Sequence, residues 1–356
     1  VLTSDTTSTQ HSLHSPLAQA RPRPWRTKGI PAGLLVAGLA LVLFAGVTGA
    51  IIVPVRAMLF VVGLAAVAIG GSRLGKAVFG SAFDLTYWFS VGWLVLLGLL
   101  AAAAPWLPLA EHVDVAGTLD EPSYARPELL SEHPLGTNNF GLDLLARSIH
   151  GARTSLIIAL SAIAIGTIVG GAIGILAGYF RRGVDRMVVV GTNALLAVPP
   201  LILLIALASV LEPNLRNVAI ALSLLTIPNM VRLARANTMA FTQREFVLAA
   251  QAMGASRLRV MTRELLPNVL LPVLSMAMVM ISVLVVAEAS LSFLGLGVKP
   301  PEPTWGNMIA EGRGTVFREH PHVVLVPGVF LFLTVFAFNL VGERARKRWD
   351  PRSAKL

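Results

Sequence analysis

The chain alternates long apolar runs with short polar ones. A helix needs about 20 mostly apolar residues to cross the hydrocarbon core of a bilayer. Eight runs approach that length: 30–53, 55–71, 85–104, 154–180, 187–211, 214–231, 268–292 and 323–341. Those at 55–71 and 214–231 are the weakest. The pattern predicts an all-α polytopic membrane protein. Pro199, Pro200, Pro228, Pro272 and Pro327 fall inside the runs. Bilayer helices tolerate them where neighbours satisfy the freed carbonyls. Gly166, Gly170, Gly171, Gly174 and Gly178 recur at close to helical spacing. Such a stripe predicts helix backbones in close approach.

The polar stretches organise the rest. Residues 1–29 are rich in Ser, Thr, His and Pro and lack apolar periodicity, which predicts a disordered tail. The basic RPRPWRTK before the first run has the look of a signal-peptide start. The run it precedes is longer than the 7–15 residues of a signal h-region, so a retained span is expected. The long polar segments between runs are 105–151 and 239–267.

Charge sharpens the picture. Only 13% of the 356 residues are charged and 55% are hydrophobic, against about 25% charged in soluble domains. There is no Cys, which excludes disulfides, thiolate metal sites and thiol nucleophiles. A net charge of +10 suggests nucleic acid if it lies on a soluble surface. Here most of the Lys and Arg fall in alternate connections: 21–28, 73–76, 181–186, 232–263 and 344–355. The opposite side keeps Arg56, Arg126, Arg147, Arg153, Arg216, Lys299, Arg313 and Arg318. This bias places both termini in the cytoplasm and accounts for most of the basic excess without nucleic acid.

Candidate chemistry is sparse. GGSRLGKA, 70–77, nearly matches a phosphate-binding loop, but Ala77 stands where Ser or Thr holds magnesium. It also follows a bilayer helix, so a glycine-rich cytoplasmic turn is expected. HSLH and HPH offer histidines without a convergent metal set, and neither GxSxG nor HExxH occurs. Glu288 lies near the outward end of 268–292, followed by Ser290 and Ser292. A carboxylate at that depth faces a cavity or partner, as a pathway or gate residue, or reaches interfacial water. Asp185 and Glu212 sit at span ends, where solvation is the simplest expectation.

The segment 244–267, REFVLAAQAMGASRLRVMTRELLP, carries the most information. Glu245 suits the first turn of a helix. Phe246, Ala249, Ala250 and Met253 fall on one face. Gly254 suits a left-handed C-terminal position, Ser256 an N-cap, and Pro267 the step into the next span. The outline is that of a DNA-reading helix-turn-helix. Such a reader must lay its second helix in a major groove, and a loop tied at both ends to spans cannot readily do so. The small Ala residues suit seating in a groove of another protein, flanked by Arg257, Arg259 and Arg263.

The spacing E-x-x-x-A-A-x-x-x-G with Pro thirteen residues after the Gly (Glu245, Ala249, Ala250, Gly254, Pro267) resembles the EAA loop of binding-protein-dependent ABC transporter permeases. EFVLAAQAMGASRLRVMTRELLPN is similar to the dipeptide/oligopeptide branch, C-type subunit. HPLGTNNFGLDLLARSIHGARTSL at 133–156, EASLSFLGLGVKPPEPTWGNMI at 288–309 and WDPR at 349–352 resemble further stretches of that family in the same order. Asn138 and Leu142 replace its usual Asp and Arg.

The resemblance covers 84–356 and implies a type I importer core of six transmembrane helices there, with an extracytoplasmic segment at 105–151 and a cytoplasmic EAA coupling loop at 239–267. It makes the two N-terminal spans within 30–83 an additional transmembrane hairpin. It implies a multi-pass plasma-membrane subunit that pairs with a second homologous permease. Two cytoplasmic ABC ATPase subunits would bind the ATP and magnesium, this chain carrying no cofactor and no catalytic residue. An extracytoplasmic peptide-binding protein would deliver di- or oligopeptides. The ATPase-coupling residues implied are Glu245, Ala249, Ala250, Gly254, Ser256, Arg257 and Pro267. Alternative solutes are a nickel chelate, haem or another small molecule. A membrane-tethered DNA-binding regulator is the distant alternative.

Overall fold

A computed structural model describes residues 24–47, 53–80, 83–128 and 131–349. The reading of 1–23 as a disordered tail, the HSLH histidines and most of WDPR lie outside them. The described residues form helices and irregular connections, with one isolated antiparallel bridge between Thr137 and Asp143. The chain divides into two units, Val1–Thr86 and Tyr87–Leu356.

In the first unit, α1 (Pro24–Val47) packs against α2 (Val53–Phe79). Helix α1 begins six residues before the expected span, inside the segment read as tail. Glycine permits the contact. A Cβ at Gly38 would lie 2.6 Å from the Val67 nitrogen, and one at Gly70 would lie 2.6 Å from the Leu35 nitrogen. GGSRLGKA is therefore not a turn, as its glycines suggested, but part of α2. Gly70 meets α1, while Gly71 and Gly75 face the side chains of Leu85 and Phe83. Small residues here allow the close helix contact, and a continuous helix cannot wrap a phosphate.

The second unit holds most of α3 (Leu85–Ala103) and then α4 (Leu144–Phe180), α5 (Arg182–Ala197), α6 (Pro200–Val210) and α7 (Leu215–Phe241). It continues with α8 (Glu245–Ala252), α9 (Arg257–Arg259), a π-helical turn (Val260–Leu265) and α10 (Leu266–Phe293). Short α11 (Trp305–Glu311) and α12 (Thr315–Glu319) precede α13 (His322–Trp349). Among the described residues six helices are long and apolar enough to span a bilayer, and the bent α5–α6 pair counts as a seventh if it is one span. Their exposed faces carry large apolar residues such as Ile168, Val283 and Phe332, as a lipid-facing surface requires and a soluble monomer avoids.

The run 187–211 is not one straight span. Val198 and Pro199 are extended, and α5 and α6 meet at 87°. Two consecutive prolines remove two donors and force the preceding residue out of helical geometry, so the helix breaks. Pro228, Pro272 and Pro327, each alone, are carried inside α7, α10 and α13.

The glycine stripe on α4 forms the tightest contact. A Cβ at Gly170 would lie 2.7 Å from the Ile227 oxygen, at Gly174 2.6 Å from the Val231 oxygen, and at Gly178 2.8 Å from the Arg235 oxygen. The partners advance with the glycines, so α4 and α7 run parallel and the α5–α6 pair crosses between them. Gly171 belongs to another face, where a Cβ would meet nothing within 4 Å. Asp185 is not merely solvated: its carboxylate takes both Nε and a terminal nitrogen of Arg235, tying α5 to α7.

Candidate functional site: a hairpin between two membrane helices

The segment 244–267 forms its hairpin by local rules. Glu245 opens α8. The helix ends in a Schellman arrangement, with the Gly254 N–H donating to the Gln251 carbonyl and the Ala255 N–H to the Ala250 carbonyl, both at 3.0 Å. Gly254 has φ +82°, a conformation that costs a residue bearing a Cβ. The Ser256 hydroxyl accepts from the Arg259 N–H at 3.4 Å and starts α9.

Tertiary packing fixes its orientation. Val247, Val260 and Leu265 are fully buried together, with Tyr179 of α4 and Phe241 of α7 against them. The expected apolar face therefore splits. Ala250 turns inward beside Val247, whereas Phe246, Ala249 and Met253 face out. Leu248 and Leu258 widen this outer patch, and Met253 and Leu258 are 82% and 67% exposed. Exposed Arg257, Arg259 and Arg263 lie on the second arm. Val247, Val260 and Leu265 were missed by sequence reasoning, although the i, i+3 spacing of Val247 and Ala250 marks a second, inward stripe.

Pro267 does not mark a step. Helical structure runs unbroken from Arg257 to Phe293. The π turn ends with the Leu266 N–H donating to the Met261 carbonyl, so the missing N–H of Pro267 falls where the ladder changes from i−5 to i−4 bonding. The second arm is thus the first turns of a membrane helix. It cannot enter a major groove, which removes the DNA-reading alternative.

Glu288 is fully buried and does not reach water. The Ser155 hydroxyl of α4 donates to Oε2 and the Ser292 hydroxyl to Oε1, each at 2.7 Å. Ser290 takes no part; its hydroxyl donates to the Val286 carbonyl of its own helix. Glu288 therefore locks α10 to α4.

The segment 105–151 is pinned by a second polar set. Its last residues, from Leu144, already belong to α4, which Asp143 caps by accepting from the Ala146 N–H at 2.7 Å. Arg147, 2% exposed, donates to Glu311 Oε1 at 2.5 Å and to the His112 carbonyl at 3.2 Å. Asn138 donates to Glu311 Oε2 at 2.9 Å, while its Oδ1 accepts from the Phe140 and Leu142 N–H groups. An aspartate at 138 would set two carboxylates against each other, so the amide suits this neighbour. Leu142 is buried, where an arginine would need a counter-ion.

His133 faces Asp143 with Nδ1 and Glu121 with Nε2, both at 3.1 Å. Burial alone lowers its pKa, but hydrogen bonds to Glu121 and Asp143 outweigh burial, and the net shift is upward. Glu111 accepts from the backbone N–H groups of His112, Val113 and Asp114. Those bonds, led by that of Asp114, lower its pKa to about 2. His320, of HPH, stacks on Tyr124 with ring centroids 4.3 Å apart, a loop-packing role.

Residues 170–355 match the family model described as "Binding-protein-dependent transport system inner membrane component". The chain is 40% identical over 218 residues to the di/tripeptide transport system permease protein DppC of Pseudomonas aeruginosa, covering 61% of this chain and 72% of that one. It is 33% identical over 256 residues to the dipeptide transport system permease protein DppC of Alkalihalophilus pseudofirmus, covering 71% and 82%. It is 35% identical over 222 residues to the glutathione transport system permease protein GsiD of Pectobacterium atrosepticum, covering 62% and 73%.

Proposed function

The chain belongs to the family of binding-protein-dependent transport system inner membrane components, and from that membership we propose that it is the membrane permease of an ATP-driven importer of di- and oligopeptides. The hairpin is the point where ATP-driven motion enters. Its inner stripe, Val247, Val260 and Leu265, seats it on α4 and α7. Its outer patch of Phe246, Ala249 and Met253 is left for a groove on a cytoplasmic ATPase subunit.

The observation that carries this reading is the continuity of the second arm with α10. A push on α8 passes through the Gly254 turn into a helix that crosses the membrane and holds Glu288 against α4. Both termini lie on the hairpin's side, the cytoplasm. A second, related permease completes the pathway, and an extracytoplasmic binding protein delivers the peptide. Two ATPase subunits hold ATP and magnesium, so this chain couples and conducts. Glu288 with Ser155 and Ser292 acts as a latch between helices, in place of a pathway lining.

Gly254→Val tests the coupling role. The variant is expected to lose peptide uptake and ATPase association while remaining in the membrane at normal abundance. Normal uptake together with normal ATPase association would overturn it.

A further inference from the structure

A polar cleft of about 510 Å³ opens where α4 ends, between the α4–α5 turn and the hairpin. Three guanidinium groups line it: Arg181 and Arg182 from the turn and Arg257 from the hairpin, with Gln251 and Thr242 beside them. The Arg181 side chain donates to the Thr242 hydroxyl at 3.2 Å. Among the described residues none of the three arginines has a carboxylate partner. The nearby acid, Asp185, is hydrogen-bonded to Arg235 and reaches only Arg181 of the three, through space and without a hydrogen bond. Three cations around one cleft repel one another and call for an anion. Arginine forks match the oxygens of a phosphoryl group.

We propose that this cleft binds a phosphoryl group, that of an anionic lipid headgroup. Position favours lipid as the source. Phe180 ends a membrane-spanning helix, and Tyr179 and Phe180 meet edge to face there, with centroids 5.3 Å apart. Aromatic residues at such a helix end mark the headgroup level of a bilayer. A bound phosphoryl group bridges the α4–α5 turn to Arg257 and so holds the hairpin against the bundle. The site itself does not depend on the coupling role proposed above.

The test is binding by the purified full chain, read by native mass spectrometry and by titration with short-chain phosphatidylglycerol. Short-chain phosphatidylcholine and inorganic phosphate serve as parallel probes. Each basic group near a membrane surface contributes about fivefold to anionic-lipid binding, so Arg181→Gln with Arg182→Gln is expected to weaken phosphatidylglycerol binding about thirtyfold. Arg186→Gln with Arg346→Gln removes the same charge outside the cleft and is expected to leave most of the binding. Arg181→Lys with Arg182→Lys, which keeps the charge, separates loss of the site from misfolding by retaining part of the affinity. Binding of phosphatidylglycerol and phosphate, but not phosphatidylcholine, with loss in the cleft variant supports a phosphoryl site open to both sources. Binding of phosphatidylglycerol alone supports the lipid. Equal weakening by the two double variants, or equal binding of phosphatidylcholine, overturns the proposal.

Discussion

Two glycines on α4, three residues apart, should respond to alanine in opposite directions. At Gly174 a Cβ would lie 2.6 Å from the Val231 oxygen and 2.7 Å from the Ala234 Cβ. Ordinary carbon contacts sit at about 3.5–4.0 Å, so α4 and α7 must part by roughly 1 Å. The obstacles are backbone and a Cβ, which cannot rotate away. Alanine gains about 1 kcal/mol over glycine within a helix, and overpacking costs typically 1–3 kcal/mol. The interface extends from Gly166 to Gly178, so separation at one level loosens its neighbours and the upper part of that range applies. Gly174→Ala is therefore expected to destabilise by about 1–2 kcal/mol. Gly171→Ala meets nothing within 4 Å and should keep the helix gain, up to about 1 kcal/mol. The assay is the unfolding midpoint of each purified variant in one detergent, followed by circular dichroism and tryptophan fluorescence. Gly174→Ala as stable as Gly171→Ala would refute the parallel α4–α7 packing.

Other outcomes follow from the polar sets. Arg147→Ala leaves the Glu311 carboxylate without its cation and should cost about 3–5 kcal/mol, seen in the same unfolding assay; Arg147→Met with Glu311→Leu should recover most of the loss. Asn138→Asp should make the segment 105–143 more protease-sensitive at neutral pH, and acid that protonates one carboxylate should restore protection. Because the folded His133 pKa is raised, its clamp between Glu121 and Asp143 contributes fully below its ordinary value of 6.5 and is lost as pH rises through the raised value. Proteolysis of that segment should quicken over this window, and His133→Gln should flatten the profile. The Glu111 contribution has the opposite sign: with its pKa lowered to about 2, it is present above 4.5 and fades as pH falls towards 2. Glu288→Ala strands the Ser155 and Ser292 hydroxyls in a buried site and should destabilise by about 1–3 kcal/mol; Glu288→Gln should cost less.

Much of the architecture was legible because a bilayer leaves few choices. Among the described residues the apolar runs lie in helices, apart from the break at Val198–Pro199, and the Gly166–Gly178 stripe became a helix contact because only missing side chains let backbones approach so closely. Gly254 and Ser256 were legible because a left-handed turn and an N-cap each suit few residue types. What failed was decided by tertiary neighbours. Pro199 and Pro200 together broke a run, whereas the single prolines Pro228, Pro272 and Pro327 left theirs intact. GGSRLGKA has turn-like composition, yet its glycines serve the α1–α2 contact. The lone carboxylate of Glu288 was conspicuous, but its partners are 133 residues upstream and one helical turn downstream. The pair of buried Arg147 with half-buried Glu311 left no sequence signal, since 164 residues separate its members.

The central claim is that the outward face of α8 seats an ATPase subunit while its inward face seats on the bundle. The chain lacks Cys, so single introduced thiols report without background. Met253→Cys, at an exposed position, and Val247→Cys, at a fully buried one, are to be made in the assembled transporter and treated with a short thiol cross-linker against single thiols in the ATPase groove. The account predicts a cross-linked product from Met253→Cys, altered in yield by ATP, and none from Val247→Cys. Absence of any product from Met253→Cys in a complex that still imports peptide would contradict it.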